Sequence, residues 1–257
     1  MDIKIPYTPR KHQAYLHQQI SKFRWSVLVC HRRFGKTVCM INHLIRSALT
    51  SKNKNPRFAY ISPTFKQSKA IAWDYMKQFT AKIPYTKFNE TELRVDLPNG
   101  SRITLLGSEN SDSLRGIYLD GCVIDEYANV NDKLFPEIIR PALSDRKGYC
   151  VFIGTPQGMN NNFYDLYQHA QGADDWFQYK AKASQTQIVD SDELTKAKEV
   201  MGEKKFLQEF ECDWIANIEG AIYADELANM ENKRQISRVP YDPSLPVSTA
   251  WDLGVSD

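Results

Sequence analysis

The apolar positions of this chain fall into short continuous runs, separated by stretches in which they recur at helical spacing. Trp25 to Cys30 (Trp-Ser-Val-Leu-Val-Cys) is apolar at nearly every position, the pattern of a strand buried on both faces of a parallel sheet. Phe58 to Ser62, Cys122 to Ile124 and Cys150 to Ile153 repeat that pattern, and Phe177 to Ala183 is a candidate fifth strand. Between the first two runs the period changes. Val38, Ile41, Leu44, Ile45 and Leu49 are three or four residues apart, which puts them on one helix face. Helices are also expected after Arg10-Lys11-His12-Gln13, through Ile20, and from Ala70 to Lys82. Leu93 to Leu97 and Ile103 to Leu106 flank Pro98-Asn99-Gly100, the turn chemistry of a hairpin. Strands alternating with helices predict an α/β fold with a mostly parallel central sheet.

The pattern changes after about Ser184. Asp192 to Trp214 is charged, and Leu194, Ala197, Met201, Phe206 and Phe210 are the apolar positions of an expected helix. Pro240, Pro243 and Pro246 mark a linker, and Val247 to Asp257 reads as the opening strand of another domain that is then cut off. The expected organisation is a core over 1–184, a helical linker or lid subdomain over 185–239, and a linker with one strand of a further domain over 240–257.

Composition narrows the function classes. A formal net charge of +2 over 257 residues gives no global field toward nucleic acid, so any such surface must be a local patch. Five cysteines without a C-x-x-C pair are an odd-numbered, reduced, intracellular pattern, and Cys30, Cys122 and Cys150, in apolar runs, read as small buried hydrophobes. The five histidines make no metal-ligand spacing with them, so no zinc is expected. No segment has the length and apolarity of a membrane span, and the N-terminus is not a signal peptide.

The chemistry starts after the first strand. Cys30-His31-Arg32-Arg33-Phe34-Gly35-Lys36-Thr37 matches the end of a phosphate-binding loop, G-x-x-x-x-G-K-[ST], with Cys30 in the first glycine's place. Backbone N–H groups there would cradle phosphates, Lys36 would bridge the β- and γ-phosphates of ATP, and Thr37 would ligate Mg²⁺. A chance Gly-Lys-Thr is the bland alternative, countered by the strand before it and the helix after it. Arg32 and Arg33 are candidates for phosphate contact, against the plainer reading of a solvated basic loop.

Cys122-Val-Ile-Asp-Glu is an apolar strand that ends in two carboxylates, which core packing alone does not favour. Asp125 would hold Mg²⁺, and Glu126 would orient and deprotonate the attacking water. The next strand ends in Gly154-Thr155-Pro156, where Thr155 could sense the γ-phosphate or be an ordinary strand-end turn.

Taken in order, Gln13 in Pro9-Arg-Lys-His-Gln, the arginine-rich loop, Leu114-Arg115-Gly116, Val123-Ile-Asp-Glu and Ile153-Gly-Thr-Pro resemble the large terminase subunit of tailed bacteriophages. Phe206-Leu-Gln-Glu-Phe resembles that family's linker subdomain, and Trp251-Asp-Leu-Gly-Val-Ser-Asp its first nuclease strand. The resemblance implies a P-loop NTPase of the additional-strand, catalytic-glutamate type. Its expected work is ATP hydrolysis that drives double-stranded viral DNA into a procapsid. It also implies an RNase H-like nuclease domain, using Mg²⁺ or Mn²⁺ to cut concatemeric DNA in a longer chain. The implied partners are duplex DNA, the portal protein, the small terminase subunit and further copies in a ring, expected to be a pentamer, in the cytoplasm of the infected bacterium, with no membrane. Residue by residue, Gln13 would read adenine and Arg32 would be the loop arginine. Thr155 would belong to the coupling motif. Arg115 would reach a neighbouring subunit's nucleotide, or be an ordinary surface arginine. Asp252 would be the first nuclease carboxylate of a site that is incomplete in this chain. Two other readings stay open: a helicase-like or restriction-type DNA translocase, and a non-catalytic nucleotide-binding scaffold, supported only by the missing first glycine.

Overall fold

The structure is a computed structural model that describes residues 5–109 and 114–215, with a few single positions from 229 onward. Its centre is one eight-stranded sheet. The strands are β1 (Trp25–Cys30), β2 (Arg57–Ser62), β3 (Lys87–Asn89), β4 (Arg94–Asp96), β5 (Arg102–Gly107), β6 (Gly121–Ile124), β7 (Tyr149–Gly154) and β8 (Trp176–Ala181), in the order β3-β4-β5-β2-β6-β7-β1-β8. From β5 to β8 every pairing is parallel, while β3, β4 and β5 are antiparallel. The expected hairpin is therefore β4–β5. β3 extends it and was not expected, because Lys-Phe-Asn carries no apolar run.

Alternation along the central strands divides the core into two layers. Leu28, Val123, Val151 and Ile153 face one layer, and Val27, Val29, Ile124 and Phe152 face the other. The first layer is covered by α1 (Lys11–Ile20), α2 (Lys36–Thr50) and a continuous helix over 65–80. That last helix comprises α3 (Phe65–Gln67), a π-wound stretch (Ser68–Trp73) and α4 (Asp74–Thr80). It starts earlier than the expected Ala70 because Thr64 caps it, accepting from Gln67 N–H at 3.2 Å. The second layer is covered by a π-wound stretch (Leu134–Ile139) running into α5 (Arg140–Ala142), and by α6 (Asn162–Gln171).

After β8 come α7 (Ala183–Thr186), α8 (Ser191–Met201) and α9 (Glu203–Glu211). The single helix expected over 192–214 is broken at Gly202, whose φ of 78° and ψ of 162° lie in a region only glycine occupies readily. One compact unit runs from Met1 to Asn217, so these helices pack with the sheet as far as that point. The expected proline-marked linker and the strand carrying Asp252 lie outside the described residues.

Candidate nucleotide site

β7 lies between β1 and β6, so the loop after β1, Thr155 after β7 and Asp125-Glu126 after β6 emerge side by side at one edge. At about 4.8 Å per strand, the loop and the carboxylates are roughly 10 Å apart. That leaves room for phosphates between them.

The loop is shaped by two left-handed residues, Arg33 (φ 71°) and Gly35 (φ 86°). A β-carbon on Gly35 would lie 2.9 Å from Gln13 Nε2 and 3.6 Å from Arg10 Nη1, so both backbone angle and space call for glycine here. Cys30, in the first glycine's place, is the last residue of β1 and has no positive φ. Gly35 caps the 15-residue helix α2, and the unpaired first-turn N–H groups of such a helix make an anion cradle. Lys36 Nζ donates to the Cys30 carbonyl at 3.1 Å.

Gln13 is buried under this loop. Its Nε2 donates to the Gly35 carbonyl at 3.2 Å, and its Oε1 accepts from Arg10 N–H at 2.9 Å. Arg10 Nη1 also donates to the Phe34 carbonyl at 3.3 Å. The structure therefore places Gln13 as a brace of the loop, with both ends of its amide engaged by protein.

Asp125 continues from β6, with its N–H donating to the Ile61 carbonyl at 2.7 Å. Its carboxylate accepts from the Tyr60 hydroxyl and, at 2.9 Å, from Glu126 N–H. The Tyr60 hydroxyl also lies near enough to Thr37 to feel it, so it sits close to both residues expected to hold Mg²⁺. Burial raises the Asp125 carboxyl above the usual range, against the lowering effects of Tyr60, Lys36 and the Glu126 N–H. Glu126 is held left-handed, at φ 47°, close enough to the backbone of Thr155 for that N–H to lower its carboxyl pKa. Its carboxyl is also raised, first by burial; Lys36 opposes this, while Asp125 and Glu209 add to it.

This donor set suits Mg²⁺. Among the described residues no group of three or more His, Cys, Asp or Glu could hold a metal. One carboxylate and one hydroxyl match the sparse protein donors of an ion that arrives bound to phosphates.

Four contributors were not singled out from the sequence. Tyr60 is one, hidden in an apolar strand. The other three sit on the helices after β8. The Glu209 carbonyl accepts from Arg32 N–H at 2.7 Å, and its carboxylate lies 3.9 Å from Arg32 Nη1 and 3.3 Å from Lys205 Nζ. Gln208 is buried and donates to the Pro156 carbonyl at 2.6 Å. Thr186 bonds His31 Nε2 at 2.7 Å, while His31 Nδ1 donates to the Arg32 carbonyl at 2.6 Å. Burial lowers the His31 pKa, which keeps this ring neutral. The sequence pattern marks this segment as an appended helical subdomain and does not show that it reaches the loop.

Arg33 is exposed on the loop. Arg115 is not brought to the loop within this chain. Its Nη2 lies 3.7 Å from Glu137 Oε2, beside the helix that packs on the sheet face opposite α2. Asp252 is outside the described residues.

Comparison with known proteins gives a consistent picture. The family model described as terminase large subunit, T4likevirus-type, N-terminal, matches residues 29–230. The terminase large subunit of Thermus virus P23-45 is 38% identical over 182 residues, covering 63% of this chain and 36% of that protein. The large terminase ATPase domain of Thermus phage P74-26 superposes with a TM-score of 0.69 at 20% identity, covering 82% of this chain and 95% of that one. The large terminase of another thermophilic bacteriophage, in complex with ADP, gives 0.69 at 16% identity, covering 79% and 53%. The chain spans well under half the length of the curated relatives it matches.

Proposed function

This chain belongs to the T4likevirus-type terminase large subunits, in their N-terminal part, and on that premise we propose that it is the ATP-hydrolysing motor domain that moves double-stranded viral DNA into a procapsid. The observation that carries the reading is Glu126, a half-buried carboxylate next to Asp125, held left-handed at the strand end and facing the charge of Lys36. A scaffold that only bound nucleotide would need the loop but not this carboxylate. The missing first glycine does not favour the scaffold either, because Cys30 occupies an unstrained strand-end backbone. The ADP complex of a relative with the same fold supports ATP as the nucleotide.

In this reading the loop N–H groups and Lys36 bind the phosphates, and Thr37 and Asp125 hold Mg²⁺, which supplies charge neutralisation on the phosphates when bound. Glu126 takes a proton from the attacking water. Its elevated pKa brings its basicity closer to that task than an exposed carboxylate's. Arg32 adds positive charge at the loop, and Thr155, at the adjacent strand end beside Glu126, reports phosphate loss. Arg115, remote from this loop, acts on a neighbouring subunit's nucleotide. A ring on the portal, the small subunit, the host cytoplasm and a following nuclease domain opened by Asp252 belong to the same proposal. The test is ATP turnover by the purified chain, with and without duplex DNA, beside Lys36→Ala. Turnover that Lys36→Ala removes supports the reading, and equal turnover in both proteins overturns it.

A further inference from the structure

We infer that the edge of the sheet opposite the nucleotide loop is a docking surface for the phosphate backbone of duplex DNA. The inference rests on the reading that the chain works on DNA, and it adds where the DNA lies. Five neighbouring parallel strands, β5, β2, β6, β7 and β1, all begin at this edge. Their leading segments are rich in cations. Lys22 precedes β1, Lys52 and Lys54 precede β2, and Lys147 precedes β7. Arg24, Arg57, Arg102 and Arg146 accompany them. The whole chain has 33 Lys and Arg against 31 Asp and Glu, so this density is local.

The two cation types do different work. The arginines tie the loops together. Arg24 donates to the carbonyls of Gly148 (3.0 Å) and Leu143 (3.2 Å), Arg57 to that of Gly100 (3.1 Å), and Arg146 to that of Lys54 (3.0 Å). Arg146 also stacks over the Tyr118 ring at 4.2 Å. Two of the acids here are occupied, while Asp145 is exposed in the same loop as Lys147. Asp120 accepts from Asn53 at 2.6 Å and from Arg57 N–H at 2.7 Å, and pairs with Arg146 at 3.6 Å, while Asp96 holds Arg102 at 2.6 Å. Lys22, Lys52, Lys54 and Lys147 are exposed, and among the described residues none forms an ion pair. The C-termini of α1 and α2 also point here, and cations complement such ends. That accounts for Lys22 and Lys52, which follow those helices directly, but not for Lys54 or Lys147.

The shape fits as well. A cavity of 450 Å³ opens between these loops, lined by Lys22, Arg24, Arg146 and Lys147 together with Ser47, Ser51 and the paired carboxylate of Asp120. Five strands at about 4.8 Å spacing make the edge roughly 19 Å wide. A duplex presents a negative charge about every 1.7 Å along its axis, so phosphates meet each loop across that width.

The test is a fluorescence-anisotropy titration of a short duplex with the 257-residue chain, across a range of salt. In Lys22→Ala/Lys54→Ala/Lys147→Ala we expect affinity to fall about tenfold or more, and the slope of log affinity against log salt to flatten by about 2 to 3. ATP turnover should stay within about twofold of wild type, because the edge is remote from the nucleotide loop. A control, Lys66→Ala/Lys69→Ala/Lys133→Ala, should bind as wild type does. Unchanged affinity and slope in the edge variant would overturn the inference and leave an acidic protein surface as the occupant. Equal losses in edge and control variants would overturn it too, as would a wild type that binds no duplex. Absent ATP turnover in the wild type would count against the proposed function instead.

Discussion

Cys30 stands where a phosphate loop usually has its first glycine, and the backbone explains why the exchange is tolerated. The angles that need glycine's freedom fall later, at Gly35, where a β-carbon would also press on the Gln13 amide. Gly35→Ala should therefore cost about 1 to 2 kcal/mol of stability, read as a lower urea midpoint, and should weaken nucleotide binding. Cys30→Gly should give no comparable change in binding. Tyr60 offers a second prediction. Its hydroxyl donates to Asp125, so Tyr60→Phe should raise the Mg²⁺ needed for half-maximal turnover by roughly tenfold. An unchanged Mg²⁺ dependence would remove Tyr60 from the site. Lys36, Thr37, Asp125 and Glu126 were legible in the sequence because each sits in a short motif at a strand end. Tyr60 was not, because its partner is 65 positions away and a tyrosine in an apolar strand looks like core. Glu209 and Gln208 were hidden for the same reason: their contacts with Arg32 and Pro156 are made by the tertiary fold.

Helices α1 and α2 are joined by polar groups as well as apolar ones. His17 Nδ1 and His43 Nδ1 lie 3.2 Å apart, one donating and the other accepting, and His17 Nε2 bonds the Tyr7 hydroxyl at 3.0 Å. Burial lowers His17 to about 4 and His43 to about 3. In the unfolded chain both titrate near the ordinary value of about 6.5. The unfolded state therefore takes up protons first, and stability is lost as pH falls from about 6.5 toward 4. Each histidine should contribute about 2 kcal/mol of that loss by pH 5. The Asp125 and Glu126 carboxyls, shifted upward, act in the opposite sense. Urea midpoints at about pH 7.5 and about pH 5 should differ markedly in wild type and much less in His17→Gln/His43→Gln. Equal pH dependence in the two proteins would contradict this. At this scale the buried strands were readable because continuous apolar runs leave little choice. β3 was not, and the break at Gly202 gave way to the apolar spacing on either side of it.

The order of the strands was beyond the sequence pattern, since runs of similar composition do not say which is whose neighbour. Placing β7 between β1 and β6 is what sets Thr155 beside Glu126 and the carboxylates across from Lys36. The same topology sends Arg115 to the face opposite α2, and this makes a trans role testable. Mixing Arg115→Ala with Lys36→Ala subunits that co-assemble should restore part of the ATP turnover, because each supplies what the other lacks. No restoration would leave Arg115 a structural partner of Glu137. The central claim, that this arrangement hydrolyses ATP with Glu126 as base, is tested most directly by Glu126→Gln. Mg-ATP affinity, measured by calorimetry, should stay within about threefold of wild type, while turnover falls by about a hundredfold or more. Turnover near the wild-type rate in a variant that binds ATP normally would contradict the account.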